Sequence, residues 1–157
     1  MGNEIERKFL VKQLPDGLES YSHKEILQGY IIITSSGTEV RLRKKGNKFF
    51  LTLKIGIGKI RREFEIGLFK ILFSILWPLT GGKKVKKCRY DIPLDNLMGE
   101  LDVYKENLSG LLTVEVEFKT EEDSEKFVPP EWFGKEVTED KRYKNQNLAI
   151  FGIPKDE

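Results

Sequence analysis

Charged and apolar residues alternate in short segments along most of this chain. Near its start, Glu4, Glu6 and Lys8 would share one face of an extended strand, while Ile5 and Phe9 would lie on the opposite face. About eight segments of this kind recur, most of them linked by turn residues, and the pattern predicts hairpin-linked β-strands. We therefore expect an α+β fold, mainly an antiparallel sheet or barrel with few helices.

Turn signals and apolar spacing set the bounds of the predicted elements. Strands are expected at residues 4–9, 25–33, 39–45, 49–54, 60–66, 83–92, 100–105 and 112–118. Apolar residues at helical spacing predict a helix over 68–77. In the tail, residues 121–126 are expected to form one helical turn, and residues 140–150 a helix with Asp140 as its N-cap and Gly152 as its end.

The composition argues against several classes of protein. The 27 Lys and Arg residues nearly balance 25 Asp and Glu residues, so the net charge of +2 gives no support to a nucleic-acid partner. The longest apolar run, residues 71–79, is too short to span a bilayer. The single cysteine, Cys88, cannot form an internal disulfide, which fits a reducing compartment. With no apolar leader at the start, we expect one cytoplasmic domain over residues 1–157 and no membrane partner.

Charges of one sign cluster on particular predicted strands. The acidic side chains that share strand faces are Glu4, Glu6, Glu63, Glu65, Asp102, Glu115 and Glu117. The basic side chains that do so are Arg41, Arg43, Lys54, Lys87 and Arg89. Like charges two residues apart on one strand face repel each other, so each cluster needs either water or a ligand of the opposite sign.

Two interpretations of these charged faces stay open on the residues alone. The faces can be solvated, as most charged surfaces are. Alternatively, they can enclose a ligand that satisfies both signs, because arginine and lysine bind phosphate chains and paired carboxylates bind hard cations such as Mg²⁺ or Mn²⁺. A metal-bound polyphosphate meets both needs, and an eight-stranded barrel is about wide enough to hold one small ligand.

The order of these motifs resembles that of a known family. The motifs are Glu-Ile-Glu-Arg-Lys at 4–8, Arg-Leu-Arg at 41–43, Leu-Thr-Leu-Lys at 51–54, Arg-Arg-Glu-Phe-Glu at 61–65, Lys-Cys-Arg-Tyr at 87–90, Asp102, Glu-Val-Glu at 115–117 and the segment 137–148. Together they resemble the CYTH family, also called triphosphate tunnel metalloenzymes, over nearly the whole chain. The resemblance implies that eight antiparallel strands close into a barrel, or tunnel, with the charged faces inward. It also implies hydrolysis of a triphosphate chain with Mg²⁺ or Mn²⁺.

The resemblance further implies a role for each motif residue. Metal ligands are expected at Glu4, Glu6, Asp102, Glu115 and Glu117. A phosphate cradle is expected at Arg41, Arg43, Lys54, Lys87 and Arg89. Lys8 would lie beside the attacked phosphate or orient the water, and Glu63 and Glu65 would help to position metal or water. Structural alternatives stay open, because Asp102 can instead pair with a nearby arginine, and Glu63 or Lys87 can form an ion pair.

Several functions are compatible with these motifs. Hydrolysis of inorganic tripolyphosphate to pyrophosphate and phosphate is the main hypothesis. An adenylate cyclase is less well supported, because cyclase-type relatives carry a His-Phe pair just upstream of the glutamate motif and residues 1–3 here do not contain one. Hydrolysis of thiamine or nucleoside triphosphates and non-enzymatic polyphosphate binding are further alternatives, and the chain can act as a monomer or a homodimer. Gly67 and the short segment between Asp91 and Glu100 depart from the family pattern and bear on substrate fit.

Overall fold

A nine-stranded sheet forms the main element of the computed structural model, which describes residues 5–55 and 62–155. The strands are β1 (Ile5–Val11), β2 (His23–Ile33), β3 (Glu39–Lys45), β4 (Lys48–Ile55), β5 (Arg62–Leu68), β6 (Lys84–Leu94), β7 (Leu97–Tyr104), β8 (Leu112–Phe118) and β9 (Phe133–Glu136). Every pairing is antiparallel, in the spatial order β5-β4-β3-β2-β6-β7-β8-β1-β9. The prediction of a mainly antiparallel fold with a few helices is therefore confirmed.

The β3–β4 hairpin illustrates why these residues form strands. Gly46 and Asn47 connect the two strands, and Gly46 has a φ of 59°, a backbone conformation that favours glycine in a tight hairpin turn. Lys45 pairs with Lys48 across this turn, and the register continues to Arg41 opposite Thr52. Because alternate residues of paired strands share a face, this register keeps the polar side chains of both strands together.

The predicted closure of eight strands into a barrel is not confirmed. In the described residues the ladder ends at β5 and β9, and no strand pairing joins these two ends. The strand that sequence analysis missed, β9, pairs with β1 at Phe9 and Val11 and so occupies the edge that a closing strand would need. This short strand follows the Pro129–Pro130 pair and lacks the length and alternation that identify the other eight.

Two apolar clusters support the sheet. The first lies among the strands β1, β6, β7 and β8 and contains Phe9, Ile92, Leu101, Val114, Val116, Phe118 and Phe133. The second joins the sheet to the C-terminal segment and contains Val85, Tyr104, Leu108, Leu111, Val137, Tyr143 and Leu148. Phe133 of β9 is buried in the first cluster and so anchors this edge strand to the core.

Three short α-helices lie within the described residues, and the bounds of the first two are close to those predicted. They are α1 (Lys70–Leu76), α2 (Glu121–Lys126) and α3 (Asn145–Phe151). The Asp140 carboxylate accepts a hydrogen bond from the Arg142 N–H ahead of α3, and Gly152 ends that helix at a φ of 79°. A 3₁₀ segment, Lys141–Tyr143, forms the first part of the predicted helix over 140–150. No helix within the described residues is both long and apolar enough to cross a membrane.

Candidate active site

One face of the sheet carries nearly all of the predicted site residues, and we call it the charged face. The strand registers place Lys8 opposite Glu115, Glu6 opposite Glu117, and Arg89 opposite Asp102. On the other half of the sheet they place Lys54 opposite both Glu39 and Glu63. Glu4, one of the predicted metal ligands, lies outside the described residues. All the other predicted site residues lie on the charged face.

The burial of the charged side chains decides between the two interpretations of the charged face. The exposed fraction of Lys87 is 0%, that of Asp102 is 1% and that of Arg41 is 5%. Charged side chains on a solvated face keep their charged groups in water, and complete burial requires ion partners or a ligand. The charged face is therefore enclosed around these residues, although Glu6, Glu65 and Glu117 at its margins are exposed.

Asp102 holds two buried cations at the centre of the charged face. Its Oδ1 and Oδ2 accept hydrogen bonds of 2.8 and 2.9 Å from Arg89, and its Oδ2 lies 2.7 Å from Lys87 Nζ. Burial by itself would raise the pKa of Asp102, but the charges and hydrogen bonds of Arg89 and Lys87 lower it well below its ordinary range. This engagement of both oxygens supports the alternative in which Asp102 pairs with a nearby arginine.

The negative charge near Lys87 is too small to offset the cost of burying its ammonium group. Burial disfavours the ammonium form more than Asp102 favours it, and repulsion from Arg89 and Arg43 adds to this, so the pKa of Lys87 falls to about 7. Its Nζ also lies 5.4 Å from the centroid of the Tyr104 ring. The site therefore carries a surplus of buried positive charge that an anionic ligand would neutralise.

Arg43 is positioned by a buried amide. Arg43 Nε donates a hydrogen bond of 3.2 Å to Gln28 Oε1, and Gln28 Nε2 donates one of 2.7 Å to the Tyr30 hydroxyl. Burial, and then repulsion from Arg41 and Arg89, lower the pKa of Arg43 to about 10. Burial raises the pKa of Tyr30 to about 12, so its hydroxyl keeps its proton and can donate it in a hydrogen bond.

The other two cations predicted to form the phosphate cradle are Arg41 on β3 and Lys54 on β4. Arg41 Nη2 lies 3.9 Å from Glu63 Oε1, which places both predicted residues in one weak ion pair. The Nε atom of Arg41 is buried and has no hydrogen-bond partner among the described residues. Glu65 accepts a hydrogen bond of 2.9 Å from the Thr52 hydroxyl. An unpaired, buried guanidinium N–H is costly, and a phosphate oxygen would satisfy it.

Lys8 links the acidic strands to the C-terminal segment. Its Nζ donates a hydrogen bond of 2.6 Å to the Tyr143 carbonyl and lies 3.7 Å from Glu115 Oε1. Burial would raise the pKa of Glu115, but the charge of Lys8, a hydrogen bond with Glu6 and the charge of Arg89 lower it. Lys8 thus lies among the predicted metal carboxylates, at the side of the charged face that the C-terminal segment covers.

The acidic strands β1, β7 and β8 bring carboxylates together that could bind a divalent cation. Glu6 and Glu117 face each other directly across two strands, as do Glu100 and Glu115, and like charges in such positions destabilise a sheet unless a cation lies between them. Within the described residues, no three side chains of histidine, cysteine, aspartate or glutamate form a group that could hold a metal ion by themselves. Mg²⁺ binds one or two carboxylates and takes its other ligands from waters and phosphates, so a pair such as Glu6 and Glu117 could supply the protein's share of its ligands.

Sequence analysis missed two residues that the structure brings into the site. Gln28 and Tyr30 are 0% and 1% exposed and lie on the charged face, opposite Arg43 and Arg41. Their signal was present, because a glutamine in an otherwise apolar strand needs a buried hydrogen-bond partner. Without the register of β2 against β3, however, nothing in the sequence identifies that partner.

The second apolar cluster closes one end of the charged face. Val85 and Tyr104 share this face with Lys87, and both belong to the same buried cluster as Leu148 of α3. The Tyr104 hydroxyl donates a hydrogen bond of 2.7 Å to Asn145 Oδ1. The fold and the site together define an antiparallel β protein in which one face of the sheet encloses a cluster of buried cations.

Comparison with known proteins identifies the family. A scan against models of protein families gave no match. An inorganic triphosphatase of Nitrosomonas europaea is 48% identical over 148 residues, which are 94% of this chain and 97% of that relative. An inorganic triphosphatase of Acetivibrio thermocellus is 35% identical over 154 residues, which are 95% of this chain and 94% of that relative. The chain therefore belongs to the inorganic triphosphatase family, and the resemblance to the CYTH family is confirmed.

Solved structures agree with this assignment. The crystal structure of an inorganic triphosphatase is 46% identical, has a TM-score of 0.76 and covers 99% of both chains. A protein of Pyrococcus horikoshii is 24% identical, with a TM-score of 0.54 over 78% of this chain and 84% of that one. At that identity, the second likeness shows the shared fold alone.

Proposed function

We propose that this chain is a metal-dependent hydrolase that cleaves inorganic tripolyphosphate into pyrophosphate and phosphate. The observation that carries the proposal is the surplus of buried positive charge. One carboxylate, Asp102, contacts both Arg89 and Lys87, and Arg41 Nε has no hydrogen-bond partner among the described residues. A linear triphosphate supplies several negative charges and many acceptor oxygens in a small volume. The names of the relatives at 48% and 35% identity support this substrate.

The five basic side chains of the cradle contribute to binding in two different ways. Arg89 and Arg43 are held by Asp102 and Gln28 respectively, so their guanidinium groups are oriented before the substrate arrives. Such preorganisation avoids reorganisation during the reaction and stabilises charge that develops on phosphate oxygens. Arg41, Lys54 and Lys87 complete the cradle as further sources of positive charge for the phosphate chain.

Glu6, Glu115 and Glu117, together with Glu4, would hold a Mg²⁺ or Mn²⁺ ion in this proposal. When bound, such an ion would neutralise phosphate charge and lower the pKa of a coordinated water. The directly opposed carboxylates Glu6 and Glu117 support this assignment. Asp102, whose oxygens are engaged by Arg89 and Lys87, is assigned to the cradle as a positioning residue instead.

The three side chains predicted to assist catalysis keep distinct roles in the proposal. Lys8 Nζ lies 3.7 Å from Glu115 Oε1 and would donate a hydrogen bond to the phosphoryl group under attack. Glu63, near Arg41, and Glu65, bonded to Thr52, would orient water or the cation at the other half of the face. We further propose that residues 1–157 act as one domain in a reducing compartment, the cytoplasm, where the buried Cys88 stays a thiol.

The test is phosphate release from tripolyphosphate, ATP and thiamine triphosphate with Mg²⁺, Mn²⁺ or EDTA. We expect metal-dependent turnover of tripolyphosphate that Arg43→Ala lowers by at least ~100-fold, since it removes a donor to the developing charge. Glu6→Gln is expected to lower turnover and to raise the Mg²⁺ concentration needed for half-maximal activity. The control is Glu125→Gln on the exposed side of α2, which should leave turnover unchanged.

Three results would contradict the proposal in different ways. Full turnover in EDTA would show that the reaction does not need a metal ion. Cyclic AMP formed from ATP would assign a cyclase instead of a triphosphatase. Binding of tripolyphosphate without turnover, equal in EDTA and Mg²⁺, would leave a non-enzymatic binder.

A further inference from the structure

The Lys8 ammonium is hydrogen-bonded to a backbone carbonyl and not to the carboxylate beside it. Its Nζ donates a hydrogen bond of 2.6 Å to the Tyr143 carbonyl, whereas Glu115 Oε1 lies 3.7 Å away, beyond hydrogen-bond length. An ammonium has three N–H donors, so the bond to Tyr143 uses only one of them. A direct bond to Glu115 would instead turn the ammonium toward a carboxylate that is assigned to the metal. The position of the Tyr143 carbonyl therefore decides where Lys8 can donate.

The backbone of Lys8 is bound by the same part of the chain. The Lys8 N–H donates a hydrogen bond of 3.0 Å to Thr138 Oγ1, and the Lys8 carbonyl accepts one of 2.8 Å from the Val137 N–H. Val137 and Thr138 directly follow β9, which pairs with β1. Residues 137–143 thus contact Lys8 at both ends of its side chain, at the backbone through Thr138 and at Nζ through Tyr143.

The Thr138 hydroxyl is itself oriented toward Lys8. Its one hydrogen has Glu136 Oε2 as its nearest acceptor, at 2.6 Å, so a lone pair of the oxygen is left to accept from the Lys8 N–H. Glu136 is fixed in turn by Arg7, whose Nε and Nη2 donate hydrogen bonds of 2.9 and 2.7 Å to its two oxygens. These hydrogen bonds hold the pKa of Glu136 below its ordinary value, so the carboxylate remains an acceptor at neutral pH. The hydrogen bonds therefore run from Arg7 to Thr138 and back to its chain neighbour Lys8.

A purely structural role is the alternative for Thr138. In that role the hydroxyl would only fasten the end of β9 to β1, and its loss would lower stability without changing the reaction of the folded protein. The Val137 N–H already fastens this part of the chain to the Lys8 carbonyl. The further bond from Thr138 is made to Lys8, whose side chain is the one expected beside the phosphoryl group under attack.

We propose that Thr138 is a positioning residue that acts through Lys8. By fixing the backbone of Lys8 against residues 137–143, it keeps Nζ on the Tyr143 carbonyl and off Glu115, with an N–H directed at the phosphoryl group. This role rests on the proposed hydrolysis of tripolyphosphate, in which Lys8 donates to that group. A displacement of about 1 Å at an active site can lower a rate on the order of 100-fold, so even a small shift of Lys8 is measurable in kcat.

Steady-state hydrolysis of tripolyphosphate with Mg²⁺ tests this role. Thr138→Val removes the acceptor but keeps the branched shape, and it should lower kcat by ~10-fold or more with a much smaller change in KM. Thr138→Ser keeps a hydroxyl and should restore most of kcat. The matched control is Thr120→Val, which removes the threonine hydroxyl that accepts from the Asp123 N–H and caps α2. This control should lower the melting temperature and leave kcat unchanged.

A double-mutant cycle separates positioning from stability. In a Lys8→Met background, Thr138→Val should cause no further loss of kcat, because the side chain through which it acts is gone. An equal loss in both backgrounds, an unchanged kcat in folded Thr138→Val, or a Thr138→Ser variant as slow as Thr138→Val would each overturn the proposal.

Chemical labelling of Lys8 tests the contact without turnover. Formaldehyde and cyanoborohydride methylate accessible amines, and the Lys8 side chain is only 12% exposed. Methylation of Lys8, followed by mass spectrometry, should be faster in Thr138→Val than in the wild type, while that of Lys126 on α2, which is 71% exposed, stays the same. An equal Lys8 rate in both proteins would overturn the proposal. Failure of the proposed function is distinguishable, because the wild type and every variant would then release no phosphate while the labelling still decides whether Thr138 positions Lys8.

Discussion

Lys87 Nζ lies 2.7 Å from Asp102 Oδ2, and both side chains are buried on neighbouring strands. Asp102 also accepts two hydrogen bonds from Arg89, so one carboxylate faces two cations. The pair is therefore only partly neutral. Because the remaining charge is shielded from water, it interacts strongly with any anion that enters the site.

The first prediction concerns the proton on Lys87. Its pKa of about 7 lies below the ordinary lysine value, so above pH 7 the folded protein lacks a proton that the unfolded chain binds. The contribution of Lys87 to stability therefore rises with pH from about 7 toward the ordinary value. A bound triphosphate favours the ammonium form, so binding should take up a proton near pH 8 and weaken as the pH rises further.

Calorimetric titration in two buffers of different ionisation enthalpy measures this proton uptake. Tripolyphosphate and EDTA would be used together, so that no metal ion contributes protons to the balance. Lys87→Met is the matched control and should abolish the difference between buffers. An equal difference in the wild type and in Lys87→Met would assign the proton to another group.

The second prediction concerns the stability that Asp102 provides. Asp102→Asn removes the negative charge from between two buried cations and should lower the free energy of unfolding by about 3–5 kcal/mol. The control is Asp95→Asn, an exposed turn residue with a φ of 56°, which asparagine tolerates, and a change within about 0.5 kcal/mol is expected there. Urea denaturation measures both values. A loss in Asp102→Asn no larger than in the control would show that the buried cations do not depend on this carboxylate.

The third prediction concerns Gln28, which holds Arg43 and Tyr30 together. Gln28→Leu keeps the volume but leaves Arg43 Nε without its acceptor, and hydrogen bonds to charged groups are worth enough to change binding by about tenfold or more. We expect KM for tripolyphosphate to rise by that factor, with a smaller change in kcat. Gln13→Leu in an exposed loop is the control. Unchanged KM in a folded Gln28→Leu protein would remove Gln28 as a positioning residue.

Most of the fold could be predicted from the alternation of charged and apolar residues along the chain. Strand β8 and helix α2 have the bounds that were predicted, because Glu115 and Glu117 alternate cleanly with valines and α2 follows a threonine that caps it. The topology of the sheet's ends could not be predicted in this way. Strand β9 is four residues long, and its pairing with Phe9 depends on a contact between residues more than a hundred positions apart.

The charged residues of the candidate site could be predicted from the sequence, but the side chains with which they pair could not. Like charges at alternate positions identified both clusters, since such an arrangement is stable only with water, a ligand or opposite charges on neighbouring strands. Whether the charged face met water depended on burial, which the sequence does not contain. The pairing of Asp102 with Arg89 and the amide link through Gln28 likewise depend on registers between strands that are far apart in the chain.

The last prediction tests how α1 is fixed to the sheet. A Cβ atom at Gly29 would lie 2.7 Å from Thr80 Cγ2 and 2.9 Å from Trp77 Cη2, so Gly29→Ala would force apart the segment that follows α1 and strand β2. We expect a loss of about 1–3 kcal/mol in the free energy of unfolding, the usual cost of overpacking. Gly67→Ala in β5 is the control, because a Cβ atom there meets nothing within 4 Å. Urea denaturation followed by tryptophan fluorescence measures both variants, and equal stability of the two would show that the Trp77–Thr80 segment is not held against β2 in solution.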